Sequence, residues 1–152
     1  MLSLRVVAFL TFVGWATLFS GTPVQAADVG KATIDATIPN LRNDHGQVMC
    51  TLFNTPDGFP EHSKHAVTIA VPIQDTHATC RFEHVTYGTY AIVSFHDENH
   101  DGEFNQNWLG MPQEGFGFSD NPSALKKPSF DDAKFTVAKP EVAIDIKMNY
   151  WF

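Results

Sequence analysis

Between Lys31 and Ile38 the apolar residues Ala32, Ile34, Ala36 and Ile38 alternate with Thr33, Asp35 and Thr37, the period of two that a strand with one buried face requires. Pro39 stops the run. Asn43-Asp44-His45-Gly46 then supplies turn chemistry and Gln47–Phe53 resumes the extended pattern, so the two segments predict a hairpin. A loop rich in Pro and Gly follows from Asn54 to Lys64, and Ala66–Val71, closed by Pro72, predicts a third strand. Ala78–Val85 predicts the fourth, and Tyr87-Gly88 a tight turn into a fifth over Thr89–Phe95. His96–Phe130 is a long, polar, Gly-rich excursion, in which Ser129-Phe130-Asp131-Asp132 has the form of a helix N-cap good for one short turn. Lys134–Ala138 and Val142–Phe152 complete the set, with Ile144, Ile146, Met148, Tyr150 and Phe152 on one face of the last. Seven short strands and no long helical period predict an all-β fold: a single antiparallel β-sandwich over residues 27–152 with one long polar loop.

Residues 1–26 stand apart from that pattern. After Arg5, Val6–Ser20 is an uncharged run of about fifteen residues, Gly21-Thr22-Pro23 breaks it, and Val24-Gln25-Ala26 puts small residues three and one positions before a cut after Ala26. The expectation is a cleaved signal peptide and a periplasmic or secreted product. A spanning helix wants roughly twenty apolar residues, which neither this run nor any later one supplies. An outer-membrane barrel needs eight longer strands than these.

Removing residues 1–26 leaves nine Lys and Arg against seventeen Asp and Glu, a net charge of −8. That balance repels a phosphate backbone and excludes nucleic acid as a natural partner. With 43% apolar residues, thirteen of them Phe, the chain has material for one core and is not disordered by composition. Cys50 and Cys80 are an even pair thirty residues apart, most simply read in an oxidising compartment as a disulfide staple, with two reduced, buried thiols as the alternative where strand geometry keeps them out of reach.

Candidate chemistry concentrates in the excursion. Asp97, Asn99, Asp101 and Gly102 match the first half of the calcium-loop pattern D-x-[DN]-x-[DN]-G, in which alternate side chains turn hard oxygens toward one point and glycine allows the reversal. The Glu103 carbonyl and the Asn105 side chain take the next donor positions, so residues 97–105 are expected to bind calcium, the alternative being a solvated Asx-rich turn that needs no metal. Trp108 stands where a bidentate Glu belongs, which excludes a paired-helix sensor and leaves Asn107, Glu114 or water to complete the shell. Beyond it, Trp108, Phe116 and Phe118 form a possible ligand surface for a glycan or protein of the envelope, or else fold back onto the sandwich. His96, next to Asp97, suits a structural hydrogen-bond partner at the loop entrance. His62-x-x-His65 is the closest histidine pair, without a third ligand at zinc spacing. Ser119-Asp120-Asn121 and Ser123-x-x-Lys126 imitate fragments of penicillin-recognising enzymes in the wrong order and without their remaining motif. No catalytic set emerges.

Several of these segments, in linear order, resemble an exported bacterial family called domain of unknown function 2141. They are Leu41-Arg42-Asn43-x-x-Gly46, Tyr87-Gly88-Thr89-Tyr90-Ala91, His96-Asp97-Glu98-Asn99-x-Asp101-Gly102, Leu109-Gly110-x-Pro112-x-Glu114-Gly115-Phe116-Gly117-Phe118-Ser119, and Pro128-Ser129-Phe130-Asp131-Asp132-Ala133. The resemblance implies a sandwich of transthyretin or immunoglobulin type and no established enzymatic activity. It also implies that the long loop is ordered. The function expected is that of a non-catalytic binding or structural module of the envelope. The alternatives are an envelope enzyme that uses the acidic loop and a histidine-based transition-metal handler.

Overall fold

A computed structural model describes residues 30–123 and 125–151. The segment read as a signal peptide lies outside the described residues. Eight strands are formed: β1 (Lys31–Ile38), β2 (Gln47–Phe53), β3 (Val67–Pro72), β4 (Ala78–Thr86), β5 (Gly88–Asp97), β6 (Gly115–Phe118), β7 (Phe135–Val137) and β8 (Glu141–Asp145). The one described helix, α1, is a single turn over Phe130–Ala133, started by the expected cap: Ser129 accepts from the Asp132 N–H and Asp132 from the Ser129 N–H.

The strands make two sheets, β4-β1-β8 and β3-β2-β5-β6, with β7 also paired to β5. Three expectations are corrected here. The described strands number eight rather than seven, because Gly115–Phe118 is a strand. β1 and β2 are not a hairpin, since they belong to different sheets. Between them Leu41 is buried, and its N–H donates to the Thr76 carbonyl at 2.9 Å, which carries the connection across the core instead of back along β1. The pairing is not wholly antiparallel: β8 lies parallel to β1, with Val142 opposite Ile34, because it arrives from β7 in the other sheet and not through a tight turn.

The inward residues of both sheets build one core. Ala32, Ile34, Ala36 and Ile38 of β1 and Ala78, Cys80 and Phe82 of β4 meet Val48, Cys50 and Leu52 of β2 and Ile92 of β5. The Cys50–Cys80 disulfide crosses that core, from β2 to β4, and ties the sheets together. Between β4 and β5 the chain changes sheet through Tyr87 alone, and the Tyr90 hydroxyl donates back to the Thr86 carbonyl at 2.9 Å to close the corner.

The outer face of the second sheet is covered too. Phe53, Ala91, Val93 and Phe118 lie under Phe59, Phe130 and Ala133, with Phe59 at the centre, edge-on to Phe53 and Phe130 at 5.1 and 5.8 Å. Ser119 holds this layer down. Its hydroxyl accepts the Ile92 N–H at 2.8 Å and donates to the Ala133 carbonyl at 2.5 Å, joining α1 to β5. The long excursion is therefore a second layer over the sheet and not an idle loop.

The last expected strand splits in two. Its alternation survives, with Val142 and Ile146 buried and Ile144, Met148 and Tyr150 half-buried, but the partner changes. After Asp145 the chain leaves β1 and crosses to β6, where Asn149 and Phe116 exchange backbone hydrogen bonds of 2.7 and 3.1 Å. The Asn121 side chain steadies the crossing by donating to the Asp145 carbonyl and accepting the Lys147 N–H.

Closing a thirty-residue loop constrains the unfolded chain by roughly 3–4 kcal/mol. The Cys50→Ala/Cys80→Ala chain is therefore expected to lose about that much stability in urea titrations, with the strand circular dichroism retained below the midpoint.

Candidate functional site

One end of the second sheet gathers the polar side chains of three segments: the β1–β2 connection, the start of the β5–β6 excursion, and the segment after β8. Gly46 lets the first approach the second. Its φ is +70°, and a Cβ there would stand 1.8 Å from the Asp97 carbonyl oxygen, so no other residue fits.

His96 and Asp97 are not loop residues but the last two of β5, and both are fully buried. His96 points into the core. Its Nε2 lies 2.8 Å from the His45 carbonyl, which can only accept, so Nε2 carries the proton and Nδ1 accepts from the Tyr150 hydroxyl at 2.8 Å. Tyr150 in turn accepts the Arg42 N–H, and its ring lies under the Arg42 guanidinium at 4.8 Å. The guanidinium also makes an ion contact with Glu98 and donates to the Gln113 carbonyl. Burial raises the Glu98 pKa, but the Arg42 guanidinium and the Asn43 amide outweigh it, and the carboxyl sits below its ordinary value. Tyr150 is pushed upward by burial, and the Glu98 charge adds to the shift.

The acidic loop wraps around Asp97. One carboxylate oxygen accepts the Asp101 N–H at 3.0 Å, and the other accepts the Gly102 N–H at 2.9 Å and the Gln47 amide at 2.8 Å. Gly102 takes the positive φ, +79°, that the sixth position demands. Asn99, Asp101 and Asn105 converge: the Asn99 amide donates to Asp101 Oδ2 at 2.7 Å and to Asn105 Oδ1 at 2.8 Å, and Asn105 donates to Asp101 Oδ2 at 3.2 Å. The Glu103 N–H and then these two amides hold the Asp101 pKa below its ordinary value. Glu103 itself is exposed.

Glu114, at the far end of the excursion, is 5% exposed and closes the loop, accepting the Asn105 N–H at 2.9 Å and the Glu98 N–H at 3.1 Å. Burial raises its pKa, and the charges of Asp97 and Asp101 push in the same direction. Among the described residues, no group of three or more His, Cys, Asp or Glu is placed to hold a metal ion on those side chains alone. Any ion here would depend on the amide and carbonyl oxygens of the loop. His62 and His65 stay in the β2–β3 loop without a third ligand.

Of the three aromatics expected to form a ligand surface, only Trp108 is exposed, at 91%, with Leu109 beside it at 61%. They occupy the tip of a small hairpin in which the Asn107 side chain accepts the Leu109 and Met111 N–H groups. Phe118 is buried in the outer layer and Phe116 is packed edge-on between Phe104 and Trp151. The reason is the alternation of Gly115-Phe116-Gly117-Phe118. The rings go outward, while the glycines face the Ile146–Tyr150 segment so closely that a Cβ would meet the Tyr150 ring at 2.2 Å or the Lys147 carbonyl at 2.6 Å.

The sequence reading missed Arg42, Glu98, Tyr150 and Gln47 as members of this cluster. A signal for them existed only in three dimensions, since Arg42 and Tyr150 are 108 residues apart.

Fold and site together define an all-β, two-sheet domain in which a self-bonded acidic loop closes one end of the second sheet. The chain belongs to a family described as uncharacterized protein conserved in bacteria (DUF2141), whose model matches residues 36–145. No curated protein and no solved structure matches it.

Two outcomes are expected. Gly115→Ala should cost about 1–3 kcal/mol in urea unfolding by forcing Tyr150 off its seat. Glu114 has a folded-state pKa above the ordinary 4.5, so above that value the folded chain holds more protons than the unfolded one, and the contribution of Glu114 falls as pH rises. Urea midpoints measured from pH 4.5 to neutrality should therefore drop in the wild type relative to Glu114→Gln.

Proposed function

We propose that this chain is an exported, non-catalytic binding or structural module of the cell envelope, a sandwich of transthyretin or immunoglobulin type. Its Asp97–Asn105 loop takes a calcium ion, and its Trp108 hairpin is held ready for a glycan or protein ligand. The observation that carries the reading is the convergence of Asn99, Asp101 and Asn105 within 2.7–3.2 Å of one another beside a glycine at φ +79°. In the described structure the Asn99 amide hydrogens satisfy Asp101 and Asn105; a cation would satisfy the same oxygens and bring the Asn99 oxygen in by a turn of the amide. Asp97 is bonded to the loop backbone, as the first residue of such a coil must be for the loop to close. Glu114 supplies the carboxylate that Trp108 cannot; burial is the main cause of its raised pKa, and the smaller push from the Asp97 and Asp101 charges is what a divalent ion would relieve.

Two further observations support the rest. Both nitrogens of the buried His96 are engaged within the protein, as is the Ser119 hydroxyl, so neither of these two side chains is available to a substrate. The Cys50–Cys80 disulfide suits the oxidising compartment to which Val6–Ser20 and the small residues before Ala27 would direct the chain.

Calorimetric titration of the exported chain is expected to give a weak calcium isotherm, with a dissociation constant of roughly 10⁻⁴–10⁻³ M, that Asp101→Ala abolishes. At a hundredfold excess over that constant, calcium should raise unfolding stability by about 2.7 kcal/mol. A silent titration together with an unmoved thermal midpoint overturns the calcium reading.

A further inference from the structure

A cavity of about 580 Å³ lies apart from the acidic loop, between the β2–β3 connection and the outer face of the second sheet. Its floor is Thr51 of β2 and Thr68 of β3, cross-strand partners whose hydroxyls are 2.9 Å apart. Asp57, Glu61, His62 and Lys64 of the connection form its wall. That wall is built before any ligand arrives. Phe59 anchors it edge-on to Phe53 and Phe130. Gly58 turns it at φ +74°, with its carbonyl accepting the Glu61 and His62 N–H groups at 2.9 and 2.8 Å, and a Cβ there would stand 1.5 Å from the His62 carbonyl oxygen. A Glu61–Lys127 ion pair of 2.6 Å braces the rim to the segment that leads into α1.

The lining carries charge of both signs without bringing the two together. Glu61 is spent on Lys127. The Asp57 carboxylate and the Lys64 ammonium face the same space, yet neither makes a hydrogen bond or an ion pair with any described residue, the other included. This sorts the ligand classes. A simple anion suits Lys64 but meets Asp57, and a simple cation does the reverse. An uncharged sugar would draw both charges partly out of water and neutralise neither, and no aromatic ring lines the cavity for it to stack upon. An apolar ligand would find only Ala66 as an apolar residue in the lining. A molecule that carries both charges close together satisfies each side of the cavity at once.

We propose that this cavity binds a small zwitterion of the amino-acid kind, with its ammonium on Asp57 and its carboxylate on Lys64. The Thr51 and Thr68 hydroxyls lie beneath it; one hydrogen bond joins them, so one hydroxyl hydrogen remains to donate and both oxygens can accept. The site is independent of the calcium loop and of the Trp108 hairpin, and adds a second ligand to the binding role. The cavity is open and both charged side chains are exposed, so the affinity is weak, with a dissociation constant of roughly 10⁻³ M.

Titration of the exported chain with L-alanine at neutral pH, followed through amide chemical shifts, tests this. The signals of Thr51 and of residues 57–68 are expected to move and saturate, with those of residues 97–105 unmoved. Alaninamide, which lacks the carboxylate, and N-acetylalanine, which lacks the ammonium, should each bind about tenfold more weakly or worse. Lys64→Gln should weaken alanine by the same factor and leave alaninamide as it was; Asp57→Asn should weaken alanine and leave N-acetylalanine as it was. A mere loss of fold would not give that crossed pattern. Alanyl-alanine, run in parallel, separates a short peptide from a free amino acid as the source of the zwitterion, the tighter binder naming it. Unmoved signals with both zwitterions at about a hundredfold excess over the expected constant overturn the proposal. So do shifts that lie away from residues 51–68, blocked analogues that bind as well as alanine, and variants that lose blocked and unblocked ligands alike.

Discussion

Two side chains that are not there hold this molecule in its form. Gly115 and Gly117 leave a trough on the inner side of β6 into which the Ile146–Tyr150 segment settles, and with it the ring of Tyr150. From that seat the tyrosine hydroxyl reaches His96, receives the Arg42 N–H, and lies beside Glu98, so the polar end of the sheet is assembled around an aromatic that only a bare backbone could admit. A buried polar network is stabilising only when each member is satisfied. Here the chain of hydrogen-bond partners runs from the His45 carbonyl through His96 and Tyr150 to Arg42, whose guanidinium then meets Glu98 as an ion contact, the one buried Glu98 oxygen having no hydrogen-bond partner among the described residues.

The same trough explains why the final segment serves two sheets. An alternating run longer than β1 could pair with must either project or turn to another partner. The chain does the second, keeping its buried parity through Ile146 while exchanging β1 for β6. The Cys50–Cys80 disulfide thus ties the sheets across the core, and the final segment adds one more to the passages the chain makes between them.

The strands that alternate cleanly were legible from sequence because their pattern needs no knowledge of the partner. β1, β2 and β4 begin where the alternation begins, and α1 announces itself through Ser129 and Asp132. β6 was not legible, because two of its four residues are glycine, which usually marks a break; here it marks the approach of another backbone. The false hairpin after Ile38 has a similar origin. Turn chemistry at Asn43–Gly46 is real, but whether a turn returns to the same sheet depends on Leu41 being drawn into the core, a fact about volume and not about local preference. For the site, spacing located the acidic coil and the role of His96. The partners Arg42, Glu98 and Tyr150 come together only through long-range topology, and the orientation of Phe116 and Phe118 follows from the glycines between them.

The layer on the outer side of the second sheet rests on different terms from the core. A helix of one turn has no stability of its own; α1 persists because Ser129 closes its start and Ser119 grips its last carbonyl, while the rings around Phe59 share their cover with it. Nothing covalent fastens that cover. The molecule is therefore built like a riveted frame with a latched panel: the disulfide rivets the two sheets, and hydroxyl, ring edges and short pairings alone hold the aromatic panel against the frame.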